Sequence, residues 1–197
     1  MADTFNAQPH AQTPPHTALS ALTLASPEKL YRILYEDSPC MYFMLDHEGT
    51  VLAVNRFGAE HLGYAQEELL GRSVLTVFHD EDKPAAQRQL TLVLATPGQA
   101  HRWQLRKIRK DGRLLWVEED ARAIRRDDGA LIALVLCTDI TERKRAEQEL
   151  REARVFLESI VENIPDMVFV KDARDLRFVR FNKAGEDLIG LPRETLI

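Results

Sequence analysis

Four groups of residues in this chain have the types needed for chemistry. Residues 78–82 read FHDED, one imidazole among three acids. A metal site would need a helical i, i+4 ligand pair or a second cluster nearby in sequence, and neither is present. The acids are therefore expected to cap the helix that follows. Residues 117–120 read VEED; alternation puts Glu118 and Asp120 on one strand face and Glu119 on the other. That pattern suits a solvated strand end better than a general acid/base pair. Arg102, Arg106, Lys107, Arg109, Lys110 and Arg113 share one hairpin. They could touch phosphate, but an exposed, twisted hairpin accounts for them more simply. His61 lies in an early helical segment and is expected to be packed or half-exposed. His10 and His16 lie in the N-terminal tail and are read as surface histidines. No Gly-rich phosphate loop and no Ser or Cys nucleophile motif is present, so no catalytic centre is legible.

Composition sets the frame for these groups. The 197 residues are 45% apolar and 29% charged, enough to bury a core. The net charge of −5 disfavours nucleic acid and anionic membranes. The longest apolar run, residues 130–137, is far short of the ~18 residues needed to cross a bilayer. The N-terminus lacks a secretory pattern, and Cys40 and Cys137 have no metal-type spacing. A cytoplasmic chain with reduced thiols is expected.

Residues 1–25 are rich in Pro, Gln, Thr and Ala and read as a disordered tail. Ser26-Pro27-Glu28 is a helix start, and this helix ends before Ser38-Pro39. Three acid–Gly turns, Glu48-Gly49, Asp111-Gly112 and Asp128-Gly129, join β-prone runs into hairpins. Between the first hairpin and the last two lie helical segments at 56–62, 66–70 and 82–95. The order is strand-strand, helices, strand-strand-strand. The first and last strands, MYFMLD and ALIALVLC, are apolar at nearly every position, as expected for strands covered on both faces. The second cover must be the first helix, the helix after Thr141, or a partner subunit.

The chain also repeats itself. Residues 34–70 align with 160–197: Pro39 with Pro165, Met41 with Met167, Phe43 with Phe169 and Asp46 with Asp172. After one inserted residue, Asn55 matches Asn182, Gly58 matches Gly185, Gly63 matches Gly190, Glu67 matches Glu194 and Leu69 matches Leu196. The second copy stops before the helix and strands that complete the first. The sequence is therefore expected to belong to a longer tandem protein.

Between the copies runs DITERKRAEQEL and its continuation. Ala146, Leu150, Ala153, Leu157, Ile160 and Ile164 are spaced 4, 3, 4, 3, 4. This is a short heptad seam with charged flanks, expected to pair with its copy in a homodimer. Thr141 can cap the helix through its hydroxyl. Asp139 and Thr141 either form a signalling hinge at the strand exit or only cap the helix.

Taken together, LDHEGTVLAVN, LGYAQEELLGRSV, FHDED, RKDGRLLWVE and DITERKRAEQEL, in that order, resemble the PAS domain of the sensory-box type. The resemblance covers roughly residues 30–141, with a truncated second copy from about 160. It implies an α+β fold: a five-stranded antiparallel sheet with helices on one face, here followed by a coiled-coil linker helix. The expected division is a tail (1–25), a PAS domain with its N-terminal helix (26–141), a linker (142–164) and the start of a second PAS domain (165–197). The resemblance also implies sensing of a small ligand, light, redox state or oxygen. It further implies homodimerisation and relay to an output domain in the same chain. That output would be a histidine kinase first, a diguanylate cyclase or phosphodiesterase next. A ligand-free dimerisation and relay module is the alternative from a different class.

The family's marks for covalent flavin are missing, since GRSVLTVF stands where a GRNCRFLQ-type run would be. The helix at 82–95 has no His for haem iron, which leaves His61 as the alternative ligand, more simply read as a packed or half-exposed His. Noncovalent flavin or a small metabolite stays open, with Trp103 and Trp116 as possible stacking partners. The expected pocket lies between sheet and helices, lined by Phe43, Phe57, Leu62, Phe78, Leu90, Leu94, Leu105 and Leu136. Asn55 is either a polar contact or a helix cap.

Overall fold

A computed structural model describes residues 26–196. The tail expected to be disordered, with His10 and His16, lies outside the described residues. The chain divides into two compact units that part after Asp139.

In the first unit, helix α1 (Pro27–Tyr31) passes into a wider π turn, Arg32–Glu36. Ser26 caps α1, accepting from the Lys29 amide, with Pro27 in the first turn as expected. Strands β1 (Met41–Leu45) and β2 (Val51–Val54) form a hairpin. Helices α2 (Arg56–Leu62) and α3 (Gln66–Leu69), two 3₁₀ turns (Val74–Val77 and Asp80–Asp82) and helix α4 (Lys83–Ala95) follow. Strands β3 (Ala100–Ile108), β4 (Leu114–Arg125) and β5 (Leu131–Asp139) complete an antiparallel five-stranded sheet. The strand order is β2-β1-β5-β4-β3, which sets the last strand beside the first, at the centre. Gly49, Gly112 and Gly129 all have φ near +84°, within 83–85°, the left-handed geometry those hairpin turns demand.

Strand alternation decides the core. Met41, Phe43 and Leu45 of β1, Leu115, Val117 and Ala121 of β4, and Ala133, Val135 and Cys137 of β5 are buried with Leu62, Leu90 and Val93 of the helices. The opposite face carries charge pairs on β3 and β4, such as Arg102–Asp120, and apolar side chains on β1 and β5. The expected second cover of β5 is the first helix, the helix after Thr141 or a partner subunit, and within the first unit that cover is partial. Leu134 is exposed on the outer face. There Tyr31 and Tyr35 reach over from the N-terminal helical segment, and with Tyr42, Met44, Leu134 and Leu136 they bound an open groove of about 500 Å³.

The second unit holds α5 (Thr141–Asn163), a hairpin of β6 (Phe169–Lys171) and β7 (Phe178–Phe181), α6 (Lys183–Ile189) and α7 (Arg193–Leu196). It repeats the start of the first unit down to its buried hydrogen bonds. Asn55 Oδ1 accepts from the amides of Tyr42 and Gly58, and its amide group donates to the carbonyls of Tyr35 and Cys40. Asn182 Oδ1 accepts from Val168 and Gly185, and its amide group donates to Val161, Ile164 and Asp166. Each Asn thus ties a preceding helix end, a strand and a following helix together. The glycine three residues on is required by proximity. A Cβ on Gly58 would lie 2.7 Å from Asn55 Oδ1, and one on Gly185 would lie 2.4 Å from the Phe181 ring.

Candidate functional site

A cavity of about 30 Å³ lies between the sheet and α4. Of the expected lining, Phe43, Phe78 and Leu90 reach it. Leu62, Leu94, Leu105 and Phe57 belong to the surrounding packing without lining the cavity. Asn55 is the buried helix cap already described. Leu136 requires correction: it faces the outer groove with Tyr35 and Tyr42. Its neighbours Val135 and Cys137 hold the inward positions, and a one-residue step along a strand reverses the face.

The cavity's polar wall was not expected. Lys107 is 0% exposed and Glu119 3%. Lys107 Nζ lies 2.8 Å from Glu119 Oε1 and 3.7 Å from the centroid of the Phe78 ring, with Phe43 at 5.2 Å. Lys107 Nζ therefore has one carboxylate oxygen as its ion-pair partner, and no well-formed hydrogen bond among the described residues. Glu119 is well supplied. Trp103 Nε1 donates to Oε2 at 2.7 Å and Cys137 Sγ donates to Oε1 at 3.2 Å. Both donors sit directly across from Glu119, on β3 and β5. Burial first, and the Glu119 carboxylate second, push the Cys137 thiol well above its ordinary value.

Two expectations from composition therefore fail. Glu119 is not a solvated strand end, and Lys107 is not part of an exposed basic hairpin. Parity held the missing signal. Trp103, Leu105 and Lys107 alternate on one face, as do Leu115, Val117, Glu119, Ala121 and Ala123. Reading the basic residues as a run concealed that Lys107 belongs to the apolar set.

Of the remaining basic residues, Arg102, Arg106, Lys110 and Arg113 find acidic partners at the surface, while Arg109 Nε makes no hydrogen bond among the described residues. Lys110 meets Glu68 at 2.6 Å. Arg106 donates to Asp82 at 2.6 and 3.0 Å and to Glu81 at 2.9 Å. Asp82 stands at the cap position of α4 but makes no side-chain cap bond, so the expected capping role is replaced by this clamp between helix start and edge strand. The Arg106 hydrogen bond holds the Asp82 carboxyl below its ordinary value. Among the described residues, no group of three His, Cys, Asp or Glu is placed to hold a metal ion.

At the strand exit, Asp139 ends β5 and accepts, or shares, a hydrogen bond with His61 Nε2 of α2 at 2.8 Å. His61 stacks on Phe57, 5.3 Å between ring centres. Thr141 is the first residue of α5, and the cap position falls on Ile140, one residue before the position expected. Along α5, Ala146, Leu150, Ala153, Leu157 and Ile160 are exposed, Leu150 to 73%, while Ile164 is half-buried. Val155 and Phe156, outside the heptad spacing, are exposed as well.

Comparison with known proteins identifies this architecture. Residues 35–145 match the family described as PAS fold, and residues 155–197 match the family described as PAS domain. The sensor histidine kinase TmoS of Ectopseudomonas mendocina is 22% identical over 134 residues, 68% of this chain and 14% of TmoS. The cyclic di-GMP phosphodiesterase PdeR of Escherichia coli is 27% identical over 110 residues, 55% of this chain and 16% of PdeR. The chain therefore spans only a small part of either relative. The PAS domain of an HTR-like protein from Haloarcula marismortui superposes with a TM-score of 0.52 at 27% identity, covering 63% of this chain and 96% of that one. No helix among the described residues is long and apolar enough to cross a membrane. With its central β5 and the family match over residues 35–145, this chain belongs to the PAS family, and its residues 155–197 repeat the Asn-capped hairpin with which the fold begins.

Proposed function

We propose that these residues are the sensory input and dimerisation region of a bacterial signalling protein in the cytoplasm, relaying the state of the core cavity to an output domain in the same chain. The division follows the expected bounds: a PAS unit over 26–141, a linker over 142–164 and a second PAS unit from 165. The observation that carries the reading is the path of β5. Val135 and Ala133 form part of the cavity wall, and the same strand ends at Asp139, two residues before α5 opens at Thr141. A change at the cavity has a short, stiff route to the linker. Asp139 and Thr141 form the hinge, with His61 holding Asp139 on the sensory side. The seam from Ala146 to Ile164, exposed as far as Ile160, pairs with its copy, and weak alanine positions keep two packings close in energy. TmoS makes a histidine kinase output the first choice, and PdeR a cyclic-dinucleotide output the second.

The test uses the full-length protein. Asp139→Ala is expected to leave the melting temperature within a few degrees and to abolish the stimulus-dependent part of kinase or cyclic-dinucleotide turnover. Unchanged stimulus dependence would sink the hinge. An absorption spectrum and mass analysis of molecules released from the purified protein separate a flavin or haem sensor from one with a colourless ligand.

A further inference from the structure

We propose that the cavity takes a small uncharged molecule bearing a carbonyl or similar acceptor oxygen, anchored by Lys107. This rests on the sensory reading above and names the chemical class of its ligand. Three observations carry it. The first is the imbalance of donors and acceptors. Glu119 already receives Trp103 and Cys137 and lies beside the ammonium. The fully buried Lys107 ammonium has three N–H donors and faces one carboxylate oxygen at 2.8 Å, with no well-formed hydrogen bond among the described residues. The faces of Phe78 and Phe43 attract the positive charge but supply no oxygen. A buried donor left in this state favours a ligand that accepts.

The second observation is charge. Lys107 and Glu119 together are neutral, so an anionic ligand would add an uncompensated charge to a wall of Phe43, Phe78, Leu90, Val93 and Val135. A cation would meet Lys107 itself. An uncharged acceptor satisfies the ammonium at neither cost. The third is size and access. A cavity of about 30 Å³ admits only a few non-hydrogen atoms. Its wall includes half-buried Leu75 and exposed Gln87, which place the way in between the first 3₁₀ turn and α4.

The probe is a set of near-isosteres, acetone, isobutene and acetate, titrated into the whole chain and followed by methyl NMR of Leu90, Val93 and Val135. Acetone is expected to move these methyls saturably and to bind about ten-fold or more tighter than isobutene or acetate. The Lys107 ammonium resonance is expected to move with acetone and not with isobutene, a readout that needs no variant. In Lys107→Met/Glu119→Gln, which removes both charges and shortens only the Lys107 side chain, by one atom, the advantage of acetone over isobutene should vanish. The proposal is overturned if acetone gives no saturable shift, if isobutene or acetate binds as well, or if the advantage survives in the double variant. Acetone binding through Lys107 with no change in full-length output would overturn the sensory reading and leave the ligand class standing. An output response to ligands of the set without acceptor preference would overturn the class alone.

Discussion

Lys107 and Glu119 are the residues at which this PAS core departs from a plain apolar filling. Burying the two charges costs desolvation that their attraction offsets only in part. Their energetic signature is an asymmetry between single and double substitution. Lys107→Met leaves the Glu119 carboxylate buried without its counter-ion and is expected to lower stability by ~3–5 kcal/mol. Lys107→Met/Glu119→Gln should recover most of that loss, because the Gln amide still accepts from Trp103 and carries no charge. Urea unfolding of the three proteins checks this, and equal losses in single and double variants would show that the pair does not act as a unit. These residues also mark where sequence reading failed. The alternation of β3 and β4 placed both on the inward face, but basic and acidic composition suggested solvent. Period and chemistry pointed in opposite directions, and period prevailed because strand direction is fixed by the backbone. The same rule moves Leu136 outward, since a fully apolar strand such as β5 does not reveal its parity.

At the level of elements, more was legible. The three acid–Gly hairpins, the Ser26 cap, the segments α2 to α4 and the internal repeat are local patterns, and each is set by a local cause. Asp82 is the exception, because its partner Arg106 is 24 residues away and no local rule finds it. Its folded carboxyl has a lowered pKa, owing first to the Arg106 side-chain hydrogen bond. A lowered folded value means that the clamp contributes stability above about pH 4, the unfolded carboxyl range, and loses it as pH falls through the folded value. Asp82→Asn is therefore expected to flatten the acid limb of the stability–pH curve below about pH 4, as measured by urea midpoints. An unchanged acid limb would show that other carboxylates dominate. For α5, Leu157→Asp sets a charge on the proposed seam and should shift the chain from dimer to monomer in sedimentation at micromolar concentration. A dimer that persists with unchanged affinity would place the contact elsewhere, with the groove under Tyr31 and Tyr35 as the next surface to probe.

At the scale of the whole molecule, the strand order gives the architecture its directional logic. β5, the last strand of the first unit, lies between β1 and β4, so the strand leaving that unit lies at the centre of its sheet. The second copy starts from the same Asn-capped hairpin, and α5 opens the second unit in the chain. The central claim is that the state of the core cavity is passed to the output through the exit of β5. It can be tested without knowing the stimulus. Ala86 lies on α4, lines the cavity and is remote in sequence from β5. Ala86→Val adds two methyl groups there and so imitates partial filling. The decisive measurement is the basal output of the full-length protein in four forms: wild type, Ala86→Val, Asp139→Ala and the double variant. The account predicts that Ala86→Val shifts basal output severalfold and that Asp139→Ala cancels this shift in the double variant. A folded Ala86→Val protein with wild-type output, or a shift that persists undiminished beside Asp139→Ala, would contradict it.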